Sequence, residues 1–426
     1  MPRLLLVPLF LIVATGAASA QAPSTGSDSK PWTADPQLVN SKQKKTNTFN
    51  YIEANVPAEP LPNVLQTVKG ASIADAASWN SHRPALLQLF RDHVYGNRPN
   101  PNRYKVEFQL REEIAAVLDG RASARRVRVA ITSDAGKQHQ FDISLAIPIA
   151  ADAQHPVPAI VHINNRGLPP TLRESIENSD PFTSVAEIIK RGCAWVSFHT
   201  SDVDPDTKGR RADGIRGCID PGKPSPTDWA ALSAWGWAAS RCVDYLETLD
   251  MIDSDACAVV GHSRGGKTAL WAAAEDKRFA VAYSNNSGCG GAALSRRKYG
   301  ETIRRITETF PYWFCQALNQ YRDKEERLPV DQHQLIALIA PRSVYVASAD
   351  QDLWADPRGE YLSLIMAAPA FGILGSESIR DPEMPALDQQ RISVATGYHI
   401  RGGGHNLTAV DWKLFLDFAV PRLKQK

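Results

Sequence analysis

An α/β fold with a mostly parallel central sheet, helices on both faces and an antiparallel N-terminal start is predicted by three observations. Short apolar runs at residues 159–163, 194–198, 256–260 and 343–347 have the length and composition of strands buried on both faces. Stretches of helical composition, at 228–248 and 267–274, separate them. Upstream, residues 104–108 and 126–131 alternate apolar and polar with period two, as half-exposed antiparallel strands do. Buried strands alternating with helices call for a parallel sheet covered on both sides.

The bulk properties agree with one large domain. The 426 residues are 43% hydrophobic and 22% charged, enough apolar material for a substantial core and too much for a disordered chain. Lys+Arg 48 against Asp+Glu 46 leaves a net charge of +2, so no strong field favours nucleic acid or a membrane surface as partner. No internal repeat breaks the pattern, and a monomer is expected.

Taken in order, residues 1–20 come first. Arg3 precedes an apolar run over 4–13 and then small residues ending Ala18-Ser19-Ala20. That order is a secretory signal peptide, shorter than the roughly 18–20 apolar residues of a membrane span. A secreted or periplasmic protein with no membrane anchor after cleavage is therefore expected. Residues 21–60, rich in Ser, Pro, Lys, Asn and Gln, read as a flexible or loosely docked arm. A catalytic domain over 61–426 follows, opening with a helix near Arg83 and a loop at Pro99-Asn100-Pro101. The six cysteines include no CxxC pair, and no HExxH occurs, so a metal site has no sequence support.

The chemistry is carried by Gly261-His262-Ser263-Arg264-Gly265, between the run ending at Val260 and the helical residues from Lys267. A G-x-S-x-G pentapeptide in that setting is the nucleophile elbow of the α/β-hydrolase fold. Small residues permit the tight turn, which lifts the Ser263 hydroxyl above the sheet beside free N–H groups at a helix start. A serine needs a histidine base and an orienting acid, which follow it in the order acid, histidine. Of ten histidines only His333, His399 and His405 lie downstream. His405, in Gly402-Gly403-Gly404-His405-Asn406 before the last helix, is the expected base. His399 falls in an expected strand over 392–400 and His333 among helical residues. The acid should follow the strand at 343–347. Asp356, before Pro357, suits a helix cap, whereas Asp350 and Asp352 are both well placed and spacing does not separate them.

Two cations set this elbow apart. Arg264 and Lys267 sit in the first turn of the helix, where the dipole opposes positive charge by roughly 0.3–1 kcal/mol each. Arg264 is expected to support the oxyanion, and Lys267 to hold a polar or anionic acyl group.

The run Gly261 to Lys267 resembles the G-x-S-R-x-G-K motif of glucuronoyl esterases, carbohydrate esterase family fifteen. The resemblance extends through residues 284–293, Gly300-Glu301, residues 310–315 and 352–357, and the His405 loop. It implies a cofactor-free serine esterase. Its substrates would be 4-O-methyl-glucuronoyl esters linking glucuronoxylan to lignin alcohols, cleaved by a Ser-His-Asp triad through a covalent acyl-enzyme. Position by position it implies Ser263 as nucleophile, His405 as base and Arg264 at the oxyanion. Lys267, Glu301 and Trp354 would contact the sugar. Fungal members carry a glutamate as triad acid where Asn286 stands here, while several bacterial members use an aspartate that would be Asp352. His262 replaces a fungal half-cystine, and the resemblance leaves Cys289 and Cys315 as a possible pair. The competing readings are an acetyl-xylan or general carboxylesterase on the same fold, and a silent carbohydrate-binding protein that keeps it.

Overall fold

The computed structural model describes residues 30–178 and 180–424. The expected signal peptide lies outside the described residues. Among the described residues ten strands form one sheet: β1 (Tyr104–Val117), β2 (Ala122–Ser133), β3 (Gln138–Pro148), β4 (Val157–Asn164), β5 (Ala194–His199), β6 (Ile252–His262), β7 (Phe279–Asn285), β8 (Ser343–Ala349), β9 (Gln390–Ile392) and β10 (Thr396–Arg401). Their order is β1-β2-β3-β5-β4-β6-β7-β8-β10-β9. The first three pair antiparallel, β5 through β10 along the sheet pair parallel, and β9 closes the edge antiparallel. This is the expected α/β-hydrolase architecture.

Alternation along the parallel strands feeds two cores. Val161, Ile163, Val259, Val344 and Val346 face one, with Trp235 and Trp271 from the helices Ala231–Leu246 and Arg264–Glu275. Ile160, Ala258, Val260, Tyr345 and Ala347 face the other, with Trp412, Phe415 and Leu416 of the last helix, Ala409–Lys424. Period-two strands with both sides apolar can do nothing else but bury both sides. The chain runs from β4 to β5 on one side and then crosses to β6 on the other, a topological switch point where clefts form beyond the strand C-termini.

Two expectations need correction. Residues 31–60 are not a loose arm. They carry the helix Pro36–Gln43 and join the main body of the fold, and Trp32, Phe49 and Tyr51 pack with Tyr299, Leu353 and Trp354. The scattered aromatics outweigh the polar composition. Residues 392–400 are not one strand, because Ser393 N–H turns back to the Thr396 carbonyl at 2.8 Å and makes a β9–β10 hairpin.

Candidate active site

Ser263 leaves β6 with φ 57° and ψ −121°, a strained conformation for a residue with a Cβ. The surroundings impose it. A Cβ on Gly261 would lie 2.1 Å from the Gly265 carbonyl oxygen, and one on Gly265 would lie 2.8 Å from that of Ile163. The Ser263 N–H donates to Asn285 O at 2.9 Å, fastening the turn to the end of β7. Its hydroxyl makes no capping bond to the helix Arg264–Glu275, so it is left for chemistry.

Ser263 lines a cleft of about 350 Å³ together with Arg264, Lys267, Glu301, Asp352, Trp354 and His405. All seven residues singled out from the sequence are brought together there. His405 Nδ1 lies 2.6 Å from Asp352 Oδ2. With Nδ1–H donating a hydrogen bond to that carboxylate, the ring keeps Nε2 as the acceptor. Burial pushes the Asp352 carboxyl up, but the bond and charge of His405 outweigh it and hold the group below the ordinary range. Asp350 instead accepts the Gly403 N–H at 2.7 Å and so shapes the histidine loop. Asp356 caps the helix Pro357–Met366 through the Gly359 N–H at 2.9 Å, and its carboxylate pairs with Arg297 at 2.8 Å. The three aspartates thus divide into partner, loop tie and cap.

His333 and His399 are structural. His333 Nε2 meets the Pro62 carbonyl at 2.8 Å, and His399 lies between Tyr345 and Asp411. Lys267 is buried, its ammonium donating to the carbonyls of Ser287 and, at 2.7 Å, Cys289. Glu301 stands 3.8 Å from it. Burial pushes the Glu301 carboxyl up, opposed by the lysine. Trp354 is braced edge-on by Phe49, ring centroids 4.8 Å apart, and its carbonyl accepts the Glu301 N–H at 3.1 Å. Arg264 is ion-paired with Asp206 and lies 4.7 Å above the Trp313 ring.

Comparison with known proteins decides the family. Residues 129–375, more than half of the chain, match the family profile described as "Glucuronyl esterase, fungi". The chain belongs to the glucuronoyl esterase family. It is 36% identical to a carbohydrate esterase of an unknown prokaryotic organism over 91% of this chain and 94% of the other. It is 30% identical to the 4-O-methyl-glucuronoyl methylesterase of Podospora anserina over 82% of this chain and 73% of that one. The solved glucuronoyl esterase of Solibacter usitatus superposes with a TM-score of 0.79 at 34% identity, covering 87% of this chain and all (100%) of the other. Glucuronoyl esterases are carboxylic ester hydrolases, and so is this protein.

Two features of this glucuronoyl esterase depart from the sequence expectations. The cysteine pair is absent: Cys289 and Cys315 are buried and free, as are the other four. The Cys315 thiol turns toward the Asp92 carbonyl at 3.9 Å, while the Cys289 segment is drawn to Lys267. Asn286, read only as a missing acid, has a place of its own: its Nδ2 donates to Asp352 Oδ2 at 3.0 Å. Sequence reading missed Glu360 and Asp206 altogether. Glu360 accepts the N–H groups of Ser287 and Gly288 at 2.7 and 2.9 Å and the Ser348 hydroxyl at 2.7 Å. Neither acid belongs to a motif, and only long-range packing brings them in.

Proposed function

We propose that the protein is an exported serine esterase that hydrolyses 4-O-methyl-glucuronoyl esters of glucuronoxylan, including those to lignin alcohols. The observation that carries this reading is the single cleft that joins a Ser263, His405 and Asp352 constellation to a Lys267–Glu301 pair and the Trp354 ring. A uronate ring offers vicinal hydroxyls, suited to an ammonium and a carboxylate, and an apolar edge that an indole covers. The names of the relatives supply the same chemistry. The leader-like first twenty residues support export.

The reaction follows from the roles. The Ser263 Oγ bonds to the ester carbon as its proton passes to His405 Nε2, and the carbonyl electron pair moves onto oxygen. Arg264 and the unpaired N–H groups at the helix start offset that negative charge. Collapse breaks the bond to the alcohol, which leaves with the proton from His405. Water then repeats the sequence, releasing the uronic acid and free Ser263. Asp352 holds the histidine and balances its charge in each half.

Comparing kcat/KM for methyl glucuronate with that for p-nitrophenyl acetate tests the substrate. Preference for the uronate ester supports the proposal. A wide preference for the activated acetate identifies a general esterase instead, and no fluorophosphonate labelling at Ser263 identifies a silent binding protein.

A further inference from the structure

We infer that Asp206 is the positioning residue for Arg264. This rests on the proposed role of Arg264 at the oxyanion. The residue following the nucleophile begins a helix, and a long arginine side chain there could swing into solvent at a cost of little more than rotamer choice. The dipole disfavours its charge at that place. What holds it is Asp206, whose Oδ2 receives Arg264 Nη1. The other carboxylate oxygen, Oδ1, is occupied by Tyr312 OH and Trp313 Nε1, both at 2.8 Å. The carboxylate is therefore oriented, with one oxygen committed to the wall and one to the guanidinium. Trp313 serves twice, since it also lies under the guanidinium face at 4.7 Å and is stacked on Phe310 at 3.7 Å. Arg264 Nε is shielded from solvent and has no hydrogen-bond partner among the described residues. The guanidinium is thus anchored through Nη1 in a side chain that lines the cleft.

The anchor itself is rigid. Two residues earlier, Asp204 is fully buried and takes Arg216 Nη2 and Nε at 2.6 and 2.9 Å, while its carbonyl accepts Trp235 Nε1 at 2.9 Å. Pro205 then fixes φ between the two aspartates. The segment reaches the cleft as a short strut clamped at its root. A donor aimed at a developing charge is effective in proportion to how little it must reorganise, and Asp206 supplies that immobility.

A double-mutant cycle reads the coupling. Asp206→Asn keeps the shape and an acceptor for Tyr312 and Trp313 but removes the charge. With methyl glucuronate, kcat should fall by about 10–100-fold while KM stays within about threefold, as expected when an interaction made only in the transition state is weakened. In an Arg264→Ala background, already low, the same substitution should change kcat by less than about threefold. Asp206→Glu should recover part of the loss, and circular dichroism should show every variant folded. Equal losses in both backgrounds, or a change confined to KM, would overturn the inference and leave Asp206 a structural residue. If Arg264→Ala itself keeps wild-type kcat, the oxyanion reading fails first, and this result is distinguishable because it needs no change at Asp206. If Arg264→Ala cripples the enzyme and Asp206→Asn does not, only the positioning role is refuted.

Discussion

At the scale of single residues the site divides labour among carboxylates by what each one touches. Asp352 faces His405 at 2.6 Å, and Asp350 faces the Gly403 N–H. Asp352→Asn should keep the fold and lower kcat by roughly 10²–10⁴, since the histidine loses its tautomer and its counter-charge. Asp350→Asn retains an acceptor for the loop and should stay within about tenfold of wild type; steady-state kinetics on methyl glucuronate separates the two. Lys267→Ala should raise KM for the glucuronate ester and leave acetate hydrolysis nearly unchanged. Equal losses on both substrates would make Lys267 a support of the Ser287–Cys289 turn, whose carbonyls it also binds. Ser263, His405 and the cations were legible in the sequence because each sits in a local motif. Asn286 as a donor to Asp352 was not, because its partner is 66 residues away and no periodicity links them.

At the scale of elements, the elbow and the histidine loop are fixed by different means. The elbow is steric, a strand and helix packed so closely that only glycine fits at positions 261 and 265. The loop is electrostatic. Asp411, fully buried at the start of the last helix, accepts Arg401 Nε at 2.6 Å, the Thr408 N–H at 2.8 Å, and Asn285 Nδ2 and His399 Nε2 at 3.0 Å each. Arg401 in turn donates to the carbonyls of Gly404 and Asn406 on either side of His405. On the nucleophile side, His262 meets Asn285 Oδ1 at 2.6 Å, and burial pushes its imidazole down to about 3, so it stays neutral beside His405. Breaking a buried pair of this kind costs about 3–5 kcal/mol, so Asp411→Asn should show a loss of that order in urea unfolding. A loss below ~1 kcal/mol would mean that the loop is held elsewhere. The strands of the sheet were readable from period and composition, whereas the β9–β10 hairpin was hidden because Ser393 to Ala395 turn without glycine or proline.

Across the whole molecule, the segment 31–60 and the buried acid Glu360 tie distant parts of the chain to the site. Glu53 bridges Arg297 and Arg358, and Phe49 braces Trp354. Composition does not show this, because a few aromatic and ionic contacts with residues far along the chain dock the segment. Glu360 is fully buried, and desolvation pushes its carboxyl up to about 8, although Ser348 and the Gly288 and Ser287 N–H groups lower it in part. Its protonated form is favoured on folding. The stability it contributes is therefore complete below about pH 4.5 and is withdrawn as pH rises toward 8. Glu360→Gln, which can keep the backbone bonds and donate to Ser348, should remove that dependence. The Tm difference between variant and wild type should move steadily in favour of the variant from pH 5 to pH 8. Parallel Tm profiles would place the ionised carboxylate in the folded protein throughout.

Hydrolysis of a uronate ester in this cleft is proposed to pass through a covalent bond to Ser263. The most direct measurement is kcat of Ser263→Ala on methyl glucuronate, with folding confirmed by an unchanged melting transition. A fall of about 10⁴-fold or more is expected, because nucleophile, base and acid act as a unit in the proposed mechanism. Retention of more than about a tenth of wild-type turnover would contradict it, since residual catalysis from the oxyanion donors and binding alone lies far below that level.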